Sequence, residues 1–201
     1  MTAIFDFDGT LVNSFPVIQL IINQIRAEEN LSNLTPEDFQ QVRGKIGLST
    51  KEYIEIFIGV NVQTNILKYV QKAQIHLPTI FPGAITMLKN IRSNGIKIIL
   101  ATNKNYDAII GICEKMNITE LFDQIRGVGS KWIQKPNPNM LECSGKKVFV
   151  GDTQTDLQTA RNGNCQFIGV SFGVEHGSSL GDCVVDDMEQ LEKQILQFLN
   201  E

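Results

Sequence analysis

The spacing of hydrophobic and polar positions changes twice along the chain, after the short apolar run at residues 3–7 and again near residue 80. Between these points, apolar residues recur at helical spacing, and a helix-start signal such as Ser14 with Pro16 precedes them. This part of the pattern predicts four helices, over about residues 14–29, 35–44, 49–57 and 62–75. After residue 80, short apolar runs alternate with amphipathic segments, which is typical of a parallel sheet with helices on both faces.

The strands predicted from this alternation are short and mostly apolar. They cover about residues 3–7, 96–101, 124–128, 148–150 and 167–171, with a possible edge strand at 183–185. The predicted helices cover about residues 84–93, 106–116, 154–162 and 187–199, and residues 135–138 open a short one. This order predicts an α/β fold with a Rossmann-like parallel sheet core.

The first two predicted strands are separated by far more chain than their connection needs. A parallel crossover requires about a dozen residues, usually one helix, and residues 84–93 can supply it. Residues 13–80 are therefore expected to form an inserted all-helical cap domain, and residues 1–12 and 81–201 the α/β core. Such a cap would lie over the crevice in which open α/β sheets bind ligands.

The overall composition argues against several classes of partner. Of the 201 residues, 42% are hydrophobic and 20% charged, and a net charge of −4 with a pI near 5.3 provides no basic surface for nucleic acid. No apolar run approaches the roughly 18 residues that span a membrane, and we expect no signal peptide, hence a cytoplasmic protein. The four cysteines are widely spaced, which favours reduced thiols.

Two carboxylates stand where the first strand ends. Asp6 and Asp8 follow the apolar run Ala3-Ile4-Phe5, and Gly9 then lets the backbone turn. Side chains two residues apart point to the same face of a strand, and two unit charges ~4 Å apart repel by about 4 kcal/mol at an effective dielectric near 20. A divalent cation relieves that repulsion, whereas an ordinary surface turn would leave both acids solvated. The buried strand leading into the turn favours the cation.

Further polar clusters follow other predicted strands: Thr102 with Asn103, Lys135, and Asp152 with Asp156. Because the carboxyl ends of parallel strands meet at one crevice, we expect these side chains to converge on the first two acids. Thr102 and Asn103 could instead cap the next helix. Lys135 alone could be an exposed loop lysine, and Asp156 could simply interact with a helix dipole.

In order and spacing, these clusters resemble the four motifs of the haloacid dehalogenase-like hydrolases. The matching segments are D-x-D-G-T-L at residues 6–11, an apolar strand with Thr102-Asn103, Lys-Pro-x-Pro at 135–138 and V-G-D-x-x-x-D at 150–156. The helical segment after the first motif and the re-entry at Phe81-Pro82-Gly83 look most like the phosphoglycolate phosphatase-like branch. Each motif alone is a weak signal, but the combination is specific and covers nearly the whole chain.

The resemblance implies a catalytic role for the two acids of the first motif. Asp6 would be the nucleophile that forms an aspartyl-phosphate, and Asp8 the general acid and then the base. The implied cofactor is Mg²⁺. Its ligands would be Asp6, the backbone carbonyl of Asp8 and Asp152, with Asp156 holding the cation indirectly or as an alternative ligand.

The resemblance also implies how a phosphoryl group is bound. Thr102 and the Asn103 amide would bind phosphoryl oxygens, and Lys135 would neutralise both the phosphate and the nucleophile. Specificity is expected to come from the helical cap, where Arg43 and Lys45 lie in a glycine-bracketed loop and could contact an anionic group of the substrate. An ordinary solvated loop is an equally good interpretation of these two residues.

The implied function is a Mg²⁺-dependent phosphatase that acts on a small phosphorylated metabolite. Phosphoglycolate, a sugar phosphate and a nucleotide monophosphate are the candidate substrates, and Asn103-Lys104-Asn105 is a second candidate rim of the substrate site. The alternatives are a β-phosphoglucomutase-like phosphomutase, which would transfer the phosphoryl group between hydroxyls of a bound sugar, and a non-catalytic phospho-ligand binding protein. The presence of every implied chemical group argues against the binding protein.

Overall fold

A six-stranded parallel sheet forms the centre of the fold. The computed structural model describes residues 1–40, 48–173 and 180–200. In spatial order the strands are Gln124–Val128 (β5), Lys97–Asn105 (β4), Thr2–Phe5 (β1), Lys147–Gly151 (β6), Gln166–Val170 (β7) and Val184–Val185 (β8). Val12–Asn13 (β2) and Thr79–Ile80 (β3) form a separate antiparallel pair. The α/β fold with a parallel sheet, predicted from the alternating pattern, is confirmed.

Eight α-helices accompany these strands in the described part of the chain. They are Phe15–Glu28 (α1), Pro36–Gln40 (α2), Thr50–Phe57 (α3), Val62–Ala73 (α4), Ala84–Ser93 (α5), Tyr106–Lys115 (α6), Gln154–Asn162 (α7) and Met188–Asn200 (α8). Short 3₁₀ helices cover Thr119–Leu121 and Pro138–Leu141. The predicted end of the second helix falls outside the described residues. None of the described helices has the length and hydrophobicity needed to cross a lipid bilayer.

Alternate residues of β1 pack on opposite faces of the sheet. Ala3 and Phe5 belong to the larger apolar cluster, which also contains buried residues of α1, α5, α6 and α8. Ile4 belongs to a smaller cluster on the other face, together with Met140 and Phe149. The strand is therefore buried on both faces, and its position between β4 and β6 brings its carboxyl end to the middle of the sheet edge.

The chain leaves the sheet after β1 and returns to it through the paired strands β2 and β3. Val12 pairs with Ile80, so the two connections to the helical segment lie side by side. Within that segment, the buried ring of Phe39 lies between Phe57, with ring centroids 4.6 Å apart, and Phe15, with centroids 6.2 Å apart. These contacts support the proposed division into a helical cap and an α/β core, which stays a proposal.

Two of the predicted helix starts have the expected capping bonds. Ser49 and Glu52 form both bonds of a capping box at α3, and Thr35 and Asp38 exchange the equivalent bonds at α2. Ser14 precedes α1, but its side chain makes no capping bond. The backbone of Ser14 is already helical, with φ −92° and ψ −14°, whereas a capping residue usually has extended dihedral angles.

Candidate active site

Asp6 and the turn that follows it lie at the carboxyl end of the central strand. The Asp6 amide donates a hydrogen bond to the Val150 carbonyl at 2.9 Å, which extends the pairing of β1 with β6 and leaves Asp6 buried. Gly9 then adopts φ +81°, and a Cβ at this position would lie 2.1 Å from Asp152 Oδ2. The absence of a side chain at position 9 therefore allows the turn of the first motif to contact Asp152.

Lys135 joins two of the acids that the sequence predicted to converge. Its Nζ lies 2.6 Å from Asp6 Oδ1 and 2.6 Å from Asp156 Oδ1. Lys135 is only 4% exposed, so the alternative of an exposed loop lysine is wrong. Burial by itself lowers the pKa of this ammonium, but Asp156 and Asp6 more than offset that effect and hold the pKa above its ordinary value. Lys135 is therefore charged at neutral pH.

Asn103 holds the backbone of Lys135 and does not cap a helix. Its Oδ1 accepts from the Lys135 amide at 2.7 Å, and its Nδ2 donates to the Lys135 carbonyl at 3.3 Å. Strand β4 continues to Asn105, whose side chain accepts from the Ala108 amide at the start of α6. The alternative in which Thr102 and Asn103 cap that helix is therefore wrong, because the strand extends past its predicted end.

Three buried carboxylates lie together at this site. Asp6, Asp152 and Asp156 each offer an oxygen, and these oxygens lie within 4.8 Å of one another. Asp152 Oδ1 accepts from Thr10 Oγ1 at 3.2 Å, and Asp156 Oδ2 accepts from Thr153 Oγ1 at 2.6 Å in the capping box of α7. Asp156 thus lies in the first turn of α7, where it can interact with the helix dipole, and it also contacts Lys135. The helix-dipole interpretation of this residue is therefore compatible with a role in the site.

The cluster carries more negative than positive charge. Burial is the largest cause that raises the pKa of the Asp6 carboxyl, to about 7; Asp156 and Asp8 add to the rise, and Lys135 opposes it. Among the described residues, three carboxylates lie around one ammonium; this arrangement favours a further cation, and hard divalent cations prefer oxygen ligands. The donor set at this strand end therefore fits Mg²⁺.

Asp8 is paired with a second buried lysine, Lys104. The Lys104 Nζ lies 2.9 Å from Asp8 Oδ2, and the lysine side chain is 5% exposed. Lys104 therefore lies at the site, buried against Asp8, and the candidate role of Asn103-Lys104-Asn105 as a rim of the substrate site stays a prediction. Sequence reasoning ended the strand at Ala101, whereas β4 continues through Lys104 to Asn105, with an irregularity in its pairing after Ala101.

A comparison with protein families agrees with this geometry. A model of the haloacid dehalogenase-like hydrolases matches residues 3–170, which is most of the chain. The chain belongs to this family. Among curated relatives, the phosphoglycolate phosphatase of Cereibacter sphaeroides is 29% identical over 190 residues, covering 86% of each chain. That of Pseudomonas putida is 25% identical over 211 residues, covering 93% of this chain and 76% of its own.

These relatives place this haloacid dehalogenase-like hydrolase in the phosphoglycolate phosphatase-like branch and make it a hydrolase of the phosphatase class. Among solved structures, CbbY from Rhodobacter sphaeroides in complex with phosphate superimposes with a TM-score of 0.80. The alignment covers 100% of this chain and 99% of that one at 17% identity. At that level of identity the similarity is evidence for the fold alone.

In this hydrolase, helix α3 contacts the two segments that carry the lysines of the site, Lys104 and Lys135. The Asn105 amide donates to Thr50 Oγ1 at 3.1 Å. Gln134, next to the buried lysine of the third motif, donates through Nε2 to Glu52 Oε2 at 2.7 Å. The first turn of α3 is thus joined to the end of β4 and to the loop before Lys135.

A cavity of about 120 Å³ lies between these helices and the first motif. Its lining residues come from the turn after β1, from α1 and α3, and from the segments before α5 and after β7. They are Asp8, Gly9, Asn13, Ser14, Phe15, Ile18, Tyr53, Phe81, Phe172 and Gly173. Arg43 and Lys45 lie outside the described residues, so their contact with a substrate stays a prediction.

Proposed function

We propose that this protein is a Mg²⁺-dependent phosphatase that hydrolyses a small phosphomonoester through an aspartyl-phosphate intermediate. The observation that carries the proposal is the buried Lys135, which contacts Asp6 and Asp156 at 2.6 Å within a cluster of three carboxylates. A lysine in this position offsets the repulsion between a carboxylate nucleophile and a phosphate dianion. Its two ion pairs also hold the nucleophile in one orientation.

The proposed Mg²⁺ ligands are Asp6, Asp152 and the backbone carbonyl of Asp8, with Asp156 as an indirect or alternative ligand. The surplus negative charge and the all-oxygen donor set support this assignment. When bound, Mg²⁺ supplies positive charge against the phosphoryl oxygens. Gly9 supports the assignment as well, because any larger residue there would displace Asp152.

The remaining steps are assigned to side chains of this chain. An Asp6 oxygen attacks phosphorus, and the bond between phosphorus and the leaving oxygen breaks. Asp8 gives a proton to the departing alkoxide and then takes one from the water that hydrolyses the aspartyl-phosphate. Thr102, the Asn103 amide and Lys135 bind the phosphoryl oxygens. Mutual bonds between Asn103 and the Lys135 backbone support a rigid site of this kind.

The proposed substrate is a small phosphorylated metabolite, and the helical segment 13–80 is the proposed cap that selects it. Two observations support a small substrate: the curated relatives are phosphoglycolate phosphatases, and the cavity beside Asp8 measures about 120 Å³. A phosphoglycolate-like compound is therefore the first candidate, ahead of a sugar phosphate or a nucleotide monophosphate.

The test compares the protein with its Asp6→Asn variant. With p-nitrophenyl phosphate and Mg²⁺, we expect turnover that EDTA abolishes and that Asp6→Asn removes. Asp107→Asn, at an exposed position in the first turn of α6, is the matched control and should keep full activity. Turnover by Asp6→Asn would refute the assignment of the nucleophile.

A panel of phosphorylated metabolites then identifies the substrate and the reaction type. Release of inorganic phosphate from phosphoglycolate, sugar phosphates or nucleotide monophosphates supports a phosphatase and ranks the candidates. Formation of glucose 6-phosphate from β-glucose 1-phosphate without free phosphate would instead identify a phosphomutase.

A further inference from the structure

Asp8 forms an ion pair with Lys104, a buried lysine to which the proposed mechanism gives no role. Lys104 comes from β4, and its Nζ lies 2.9 Å from Asp8 Oδ2 and 5.9 Å from the centre of the Tyr69 ring. Lys104 thus lies between the catalytic acid and helix α4.

The two oxygens of Asp8 have different surroundings. Oδ2 is held by Lys104, whereas Oδ1 is buried and has no hydrogen-bond partner among the described residues. Burying a polar atom without a partner is unfavourable, so the buried Oδ1 points to a bound group that completes it. Asp8 lines the cavity of about 120 Å³ that also borders Phe15, Tyr53 and Phe172. That cavity has room for a small group beside the unpartnered oxygen.

We propose that Lys104 is a positioning residue, which holds Asp8 by Oδ2 so that Oδ1 carries the proton to the leaving oxygen of a small alcohol in this cavity. The inference rests on the proposed function and adds to it the residue that orients Asp8. In the step concerned, the bond from Asp6 to phosphorus forms, the bond from phosphorus to the leaving oxygen breaks, and the proton moves from Asp8 Oδ1 to that oxygen. The products are the aspartyl-phosphate and the neutral alcohol.

A positioning role differs in its consequences from two simpler roles of Lys104. If Lys104 only stabilised the fold, its removal would slow the reaction of every substrate by the same factor. If Lys104 bound an anionic group of the substrate, its removal would matter only for substrates that carry such a group. If it orients Asp8, its removal matters in proportion to how much the leaving group needs a proton.

The test uses ethyl phosphate and 2,2,2-trifluoroethyl phosphate under single-turnover conditions with Mg²⁺. The two esters are close in size, and neither carries a second anionic group, but trifluoroethanol is much the stronger acid and leaves with less help from a proton. For Lys104→Met, we expect cleavage of ethyl phosphate to fall by about 100-fold, the range of general acid catalysis, and cleavage of the trifluoroethyl ester by much less. Lys97→Met, at an exposed position of the same strand, should change neither rate.

A second variant, Lys104→Gln, repeats the comparison with a side chain that can still donate a hydrogen bond, and it replaces Lys104→Met if that variant does not fold. Equal slowing of both esters, or no slowing of either, would overturn the role of Lys104 and leave the proposed function standing. A wild-type protein that cleaves neither ester nor any phosphomonoester of the metabolite panel would overturn the proposed function and this inference with it.

Discussion

Replacing Lys135 with methionine removes an ammonium that touches two acids of the cluster. The substitution breaks the 2.6 Å pairs with Asp6 and Asp156 and leaves both carboxylates buried. Loss of one partner from a buried ion pair costs about 3–5 kcal/mol, a large share of the roughly 5–15 kcal/mol that stabilises a domain. We therefore expect Lys135→Met to be clearly less stable than the wild type when no metal is present.

The loss of stability should depend on pH because the remaining acids can bind protons. The pKa of Asp6 is already raised from 3.8 to about 7 in the folded state although Lys135 opposes the rise, so it rises further in the variant. A carboxyl with a raised folded pKa contributes stability that is fully present below its unfolded value and is lost as the pH rises through its folded value. The variant should therefore be closer to the wild type at pH 5 than at pH 8.

Urea unfolding in EDTA at the two pH values measures this difference. With a slope of about 2 kcal/mol per molar urea, a loss of about 4 kcal/mol lowers the midpoint at pH 8 by about 2 M. Lys89→Met, exposed on α5, is the control and should unfold like the wild type. A loss under about 1 kcal/mol at pH 8, or the same loss at both pH values, would refute the idea that the lysine holds a charged cluster together.

Two further predictions follow from close packing. Gly9→Ala should unfold at a clearly lower urea concentration than Gly95→Ala. Both glycines have a positive φ, but a Cβ at position 9 would lie 2.1 Å from Asp152 Oδ2, whereas a Cβ at position 95 would meet no atom within 4 Å. Similar midpoints for the two variants would contradict the contact. Burial raises the pKa of the Cys113 thiol to about 12, so it should react slowly with a disulfide reagent at pH 8 until urea unfolds the protein. Rapid labelling of Cys113 in the native protein would contradict its burial.

The convergence of the motif residues was predictable because it follows from topology. Asp6, Lys135 and Asp156 are far apart in the sequence, but each follows a predicted strand or begins the segment after it. In a parallel sheet those segments meet at one edge, and this rule needs no knowledge of side-chain contacts. The structure brings all three within hydrogen-bonding distance through the Lys135 ammonium. Their catalytic roles stay predictions.

The environment of single polar residues was not predictable in the same way. Lys104 was predicted only as part of a candidate rim of the substrate site, and nothing in the neighbouring sequence indicated that its side chain is buried against Asp8. Its burial depends on the length of β4 and on the positions of Asp8 and Tyr69, which belong to distant parts of the chain. Asn103 is likewise of a residue type that often caps helices, but its side chain forms hydrogen bonds with the backbone of Lys135.

The amino-acid sequence by itself determined the order of strands and helices, the parallel α/β class and the family. It could do so because periodicity, turn residues and motif spacing are local properties of the chain. Only the tertiary structure decided which charges are buried and with which partners, such as Lys104 with Asp8. Those pairings depend on the distances between segments that are remote in sequence, and a difference of a few ångströms separates a buried ion pair from a solvated one.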